Sequence, residues 1–522
     1  MTSPIAVDPT IQVSWDGSGA YDGPYDTVTL DVAAEPGLTV TGGRDGAQQL
    51  SPPRVTSGHF ELINEGGKYS QENPTSPVYQ RVEPNRPVRY SVTYGEAGVW
   101  DEPAIWDDGG LWDGLADITL GAQMIDEIGE RNPWGDRRVS ISTIGIETLL
   151  TRAPVTVPLM TNPRIDECIT AILDAAAWPL SARSIEVSDT TLLYWWCDAK
   201  EPWSALLELL ASEGPGTFGV DRDGNFIFQS RNHRTIASAS TTSQATFYDT
   251  RVPGAYYYTD LTYSPQYRSL YNRATYTTRR REAGALQKVW EYGATVTLSA
   301  GQSTTLIARP TDPFTSAVSP ASGTDYTVSA GSATVTLTYT SGLAAFIEIV
   351  AGGSGATIDG VTSTGIQLRA SPLTVLAETT VTNRVDASAS IARYSPIPGA
   401  DIPLTLSIAG WPEIDGAAAQ AVCDAWVLRQ QFPRASVQFV IPNADLAHIG
   451  QILSRRVSDR LTLVQATTGL ETDVWINALE VRVFGFDGAR CELVVGAEKC
   501  DTLTGGVWDL SLWDDAEATW GV

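Results

Sequence analysis

Apolar and polar residues alternate along the first hundred positions in short bursts separated by turns. "TVTLDV" (27–32) and "PVRYSVTYG" (87–95) put apolar side chains at every second position, the period of a strand with one buried face. Gly-Gly, Pro-Pro and Asn-Glu-Gly-Gly mark the corners between such runs. "DITLGAQMIDEI" (117–128) continues the pattern, and "DRRVSISTIGIETLLTRA" (136–153) starts as a strand and passes into a short helix. The period then lengthens. In "NPRIDECITAILDAAAWP", Ile165, Cys168, Ile169, Ile172 and Leu173 recur at helical spacing until Pro179 stops the run. "PWSALLELLASEGPG" predicts a second helix with Pro202 in its first turn and Gly214 or Gly216 at its end. "TFGVDRDGNFIFQSR" predicts a hairpin turning at Asp223-Gly224, a type I′ pair.

From about residue 236 the pattern is again that of strands. Residues 293–384 are rich in Thr, Ser, Gly, Ala and Val with few charges, and strands recur about every ten residues, which predicts an inserted β-sandwich. A helix follows at "DGAAAQAVCDAWVLRQQF", closed by Pro433, and then strands at "ASVQFVI", "DRLTLVQ", "TDVWINALEVRVFG" and "RCELVVG". No repeat of fixed period spans the chain. The expected fold is mainly β with α+β parts, in several domains, since 522 residues exceed what one core serves.

Charge narrows the function. With 35 Lys and Arg against 61 Asp and Glu, the net charge is −26 and the isoelectric point near 4.4. A protein that reads DNA or RNA needs a basic surface to displace counterions from phosphate, so that class is excluded. An anionic surface does suit a protein past which DNA must slide without sticking. Cys168, Cys197, Cys423, Cys491 and Cys500 are scattered without a CxxC pair, and only His59, His233 and His448 occur. A zinc site and a disulfide framework are therefore not expected, and neither is any cofactor. The start of the chain lacks the pattern of a signal peptide, and no run of about 18 apolar residues predicts a membrane span.

Candidate chemistry is sparse. "DRDGN" (221–225) copies the opening of a calcium loop but lacks the closing Glu, so a plain hairpin turn is expected. Asp16, Asp22 and Asp26 lie among glycines in "WDGSGAYDGPYD", a pattern of solvated acidic turns that could also hold a cation. No histidine stands in a nucleophile motif, and carboxylate pairs arise by chance among 61 acids, so no enzyme is called for. The unusual feature is a pair of Trp-Asp segments. Residues 99–114 hold Trp100, Trp106 and Trp112, each followed by Asp, and residues 501–522 hold Trp508, Trp513 and Trp520. Packing across a turn is one reading; the other makes these six tryptophans interaction anchors, given the enrichment of aromatics at interfaces.

Residues 43–95 resemble the opening domain of minor tail proteins from phages of actinobacteria. The matching residues are Gly43, Arg44 and Asp45; Asn64, Gly67 and Tyr69; Ser76, Pro77 and Tyr79; and Pro84, Arg86, Pro87 and Val88. Later stretches ("ILDAAAWP", "ALLELLASEGPGTFGVDRDGNFIFQSR", "QQFPRASV", "VSDRLTLV") are similar to the baseplate-hub, or tail-tip, proteins of long-tailed phages. The likeness covers roughly 28–235 and 385–500; the Trp-Asp segment and residues 293–384 depart from it. It implies two hub-type β-barrel domains (1–150; 236–292 with 385–500), beside which the residue patterns set a small α+β domain (151–235), the inserted β-sandwich (293–384) and a C-terminal arm (501–522). It further implies a homotrimer in the virion tail tip, made in the host cytoplasm. The trimer would continue and close the tail tube, joined to the distal tail protein ring and to tip or fibre proteins. The tape-measure protein would end near its lumen, DNA would pass without specific binding, and no stable membrane insertion is implied. A carbohydrate-binding protein contacting a host surface glycan and a tail-associated cell-wall hydrolase are the other classes left open.

Overall fold

The computed structural model describes residues 7–44, 51–94, 116–131, 136–361, 365–485 and 490–500. The chain folds into two compact units, one formed by residues 1–148, 217–271 and 429–522 and the other by 149–216 and 272–428. The fold is mostly β and multidomain. No described helix is long and apolar enough to cross a membrane.

The first unit is built on one sheet of 13 strands. Its amino-terminal part runs in the order Asp8–Val13, Pro87–Tyr94, Ala116–Arg131, Arg138–Gly145, Ser57–Ile63, Leu38–Gly43, all antiparallel. Period-two burial explains these strands: Val88, Tyr90 and Val92, Phe60 and Leu62, and Val139 and Ile141 all point inward. The Leu470–Phe484 strand then joins the two ends of the chain. Along one edge its first half pairs with Arg460–Gln465 and its second half with Leu38–Gly43; along the other it pairs with Arg490–Lys499. Beyond Arg490–Lys499 lie Arg434–Pro442 and Thr259–Gln266. Ile11, Val13, Phe60 and Tyr90 from the amino-terminal strands and Phe439, Leu463, Ile476 and Val495 from the carboxy-terminal ones share one continuous core.

In the second unit, the helices Ile165–Ala175 and Pro202–Glu213 pack on each other beside the paired strands Val155–Thr161 and Tyr194–Lys200. The first helix stops at Ala175, ahead of Pro179, and the second ends at the predicted glycine. Glu167 accepts from the Arg164 N–H at the start of the first, and Gly214, at φ +106°, follows the second. Two sheets then enclose a separate core of Phe314, Ile347, Ile349, Ile358, Leu368 and Ala370. One sheet centres on Ala345–Asp359, flanked by Thr327–Thr340, Ser303–Ala308 and Val296–Leu298. The other centres on Ile366–Val375, flanked by Gln287–Tyr292, Arg281–Ala283 and Phe314–Val318.

Three local expectations need correction. "TVTLDV" is no strand: Thr29 Oγ1 accepts the Ile11 N–H, a single 3-10 turn forms at Thr29–Asp31, and Leu30 is 97% exposed. The Asp223-Gly224 hairpin has no two-residue type I′ turn. Its strands Thr217–Val220 and Phe226–Gln229 stop at Val220 and Phe226, and Asp221 Oδ1 accepts the N–H groups of Asp223 and Asn225. A capping carboxylate makes the longer loop the stable one. This hairpin also belongs to the first unit, whereas its sequence position groups it with the two helices. The Leu446–Ser454 helix, begun by Asp445 accepting the His448 N–H, interrupts a region expected to be all strands.

Candidate functional site

The residues of the tail-protein likeness are structural keystones. Asn64 is buried; its Oδ1 accepts the Tyr69 N–H at 2.9 Å and its Nδ2 donates to Ser70 Oγ at 2.9 Å. Gly67 turns at φ +67°, where a Cβ would press on Asn73. Tyr69 is buried against Trp15, at 5.8 Å between ring centroids, and its hydroxyl donates to Asp31. Burial first, and then the Asp31 carboxylate, push that phenol up. Ser76 Oγ donates to the Lys68 carbonyl and accepts the Val78 N–H. An Asn-x-x-Gly-x-Tyr run followed by Ser-Pro thus closes a wide loop with its own side chains.

The loop Trp15–Asp26 behaves in the same way. Asp16 accepts from the Ser18 N–H and from the Ser18 and Ser14 hydroxyls, which together hold its carboxyl down at about 2. Asp26 accepts the Gly23 N–H. The described residues contain no group of three or more His, Cys, Asp or Glu side chains placed to hold a metal ion. All five cysteines are buried and unpaired, and burial pushes each thiol up. His448 is buried between Tyr256 and Tyr257; Nδ1 lies 2.8 Å from Asp445, and Nε2 accepts the Tyr257 N–H. That geometry engages both ring nitrogens in structure. His59 lies within a sheet strand opposite Thr39 and Ser142, and His233 begins a one-turn helix.

Two features of the first unit gave no signal in the sequence. The first is an arginine cluster gathered from four distant segments. Fully buried Glu498 accepts from Arg234 and Arg429, with Arg434 and Arg44 close by. Burial alone would raise the Glu498 carboxyl, but Arg429, Arg234 and Arg434 outweigh it and hold it down at about 2. Arg234 also donates to Asn477 Oδ1 at 2.7 Å and lies over the Trp475 ring, 5.4 Å from its centroid. Arg44, from the Gly-Arg-Asp match, donates through Nε to Thr217 Oγ1 at 3.2 Å.

The second is a cavity of about 170 Å³ with an apolar floor of Val40, Leu120, Phe218 and Val481. Half-buried Val220, Ile227 and Leu479 form its walls, and Arg54, Arg222, Arg455 and Arg456 lie along its rim. Arg222 closes the Leu446–Ser454 helix by donating to the Leu453 and Ile452 carbonyls. Arg456 pairs with Asp221 and Asp223, each at 3.5 Å. The side chain of Arg455 is only 11% exposed, yet its Nε and Nη1 donate no hydrogen bond; Asp459 lies 3.6 Å from Nη1. Trp100, Trp106, Trp112, Trp508, Trp513 and Trp520 lie outside the described residues.

No family model matches the chain, and no curated protein is found to be similar to it. Among solved structures it is similar to the 43 kDa tail protein of prophage MuSo2 from Shewanella oneidensis, at 9% identity and a TM-score of 0.47, over 94% of this chain and 100% of that one. It is similar to the tail protein from Neisseria meningitidis MC58 at 10% identity and a TM-score of 0.46, over 95% and 97%. It is also similar to the prophage tail protein gp18 from Listeria monocytogenes EGD-e, at 10% identity and a TM-score of 0.40, over 93% and 94%.

Proposed function

We propose that the chain is a structural protein of a phage tail tip, a baseplate-hub subunit that continues and closes the tail tube as a homotrimer. In this reading it joins the distal tail ring to tip or fibre proteins, meets the end of the tape-measure protein, and opens for genome ejection. The observation that carries the reading is the place of the tail-protein likeness in the fold. Asn64–Val88 and the "DRDGN" and "VSDRLTLV" segments all fall in the first unit, whose sheet is closed across the chain by the pairing of Leu38–Gly43 with the Leu470–Phe484 strand. A continuous sheet with one core suits a wall that must stay stiff under load.

Charge supports it. Among the described residues seven acidic side chains and Arg434 are buried, which leaves most of the excess of 61 acidic over 35 basic residues on the surface. Such a surface offers phosphates few neutralising contacts, and DNA slides past it. The reading assigns no catalytic step. Light scattering across a concentration series tests it: a species near three times 56.1 kDa is expected, and a monomer or an even-numbered oligomer at every concentration refutes the trimeric hub.

One observation favours the glycan-binding reading for part of the chain. Ile307, Phe346 and Tyr339 lie in one row across three strands of the second unit, with Ile307 and Tyr339 about half exposed and Thr305, Glu348 and Thr336 in the next row. Aromatic faces beside hydroxyl and carboxylate groups suit a sugar ring, and a glycan array probes this directly.

A further inference from the structure

We propose that the cavity rimmed by Arg455 and Arg456 is the seat of this chain's own carboxy-terminal segment, with Trp513 in the apolar floor and Asp514 on the Arg455 guanidinium. The inference deepens the assignment of the tryptophans as anchors and rests on that part of the proposed function; it does not need the trimer. Three observations carry it.

The first is chemical match. The cavity sets an apolar floor of Val40, Leu120, Phe218 and Val481 against arginines, in a protein poor in basic residues. Residues 501–522 carry Trp508, Trp513 and Trp520 with five acidic residues and no Lys or Arg. A Trp followed directly by Asp presents an aromatic ring and a carboxylate side by side, as the cavity requires. At about 170 Å³ the space admits a ring, since an apolar cavity of about 150 Å³ binds benzene. The second is the state of Arg455. Its Nε is buried without a hydrogen bond, which is costly, while Nη1 has only Asp459 at 3.6 Å; an incoming carboxylate would accept from Nε. The third is reach. The Cys500 N–H bonds the Asp473 carbonyl, and Leu479, in the cavity wall, lies six residues further along the same strand, about 20 Å at ~3.3 Å per residue. Thirteen residues separate Cys500 from Trp513 and span up to about 45 Å extended, so the tether has slack.

The test uses full-length chains and a fluorescein-labelled peptide of residues 506–517, followed by anisotropy. The peptide is expected to bind the Trp513→Ala chain at least tenfold more tightly than the unmodified chain, whose own segment fills the cavity. That difference should persist on dilution of the protein. Arg456→Glu, an exposed rim change made in the Trp513→Ala background, should weaken binding at least fivefold, and a peptide carrying Trp513→Ala should lose it. Equal binding to both chains, or binding indifferent to the peptide's Trp513, overturns the proposal. Competition that fades on dilution overturns it in favour of a segment exchanged between copies. Release of the cavity by Trp106→Ala and Trp112→Ala, but not by Trp513→Ala, overturns it in favour of residues 99–114.

Discussion

Replacing Glu498 by Gln removes the carboxylate on which Arg234 and Arg429 converge while keeping its shape. Two independent routes set the magnitude. The carboxyl is held near 2 against an ordinary 4.5 by Arg429, Arg234 and Arg434 acting against burial, and at 1.36 kcal/mol per pH unit this amounts to about 3 kcal/mol. Breaking a buried ion pair by removing one partner costs about 3–5 kcal/mol, because the remaining charges stay buried. The sign with pH follows from the depression: the stabilisation is fully present above about 4.5 and is lost as pH falls towards 2. Urea titration of the intact protein, followed by circular dichroism at pH 7, 5, 4 and 3, reads both effects. Glu498→Gln should be about 3 kcal/mol less stable at pH 7, and the gap should narrow steadily below pH 4.5. A variant as stable as the parent at pH 7, or a gap that does not change with pH, refutes the claim that this carboxylate holds the cluster together.

Gly37 stands at φ +76° just before the Leu38–Gly43 strand, and a Cβ there would lie 2.1 Å from the Val483 carbonyl. Gly37→Ala should therefore strain the junction between the two ends of the chain, lower stability by about 1–3 kcal/mol and speed amide exchange in Val481 and Val483. Asn64→Ala leaves the buried Tyr69 N–H without its acceptor and should cost about 1–3 kcal/mol, with faster exchange at the Tyr69 amide while the strands remain protected.

Much of the local structure was legible. The helices Ile165–Ala175, Pro202–Glu213 and Gly416–Gln430 announce themselves by apolar spacing and by Pro and Gly at their ends, because capping and periodicity act within a few residues. "TVTLDV" misled because alternation says nothing about whether a neighbour will offer a ladder: the Thr29 hydroxyl took the Ile11 N–H instead. The Leu446–Ser454 helix was hidden, since a nine-residue helix between strands leaves a short apolar pattern that reads either way. Asn64 and Ser76 of the tail-protein likeness were identified without their role, which is to satisfy backbone groups inside one wide loop.

The amino-acid sequence by itself determined the mainly β character, the acidic surface, the positions of most strands and helices and the two Trp-Asp segments, because these follow from local periodicity and from composition. Only the tertiary structure decided which strands meet. It set Leu38–Gly43 beside residues 478–483, brought arginines from positions 44, 234, 429 and 434 around Glu498, and left Arg455 above an apolar cavity. Pairings across hundreds of residues depend on how whole apolar faces close over a common core, and no local pattern encodes which distant face that will be.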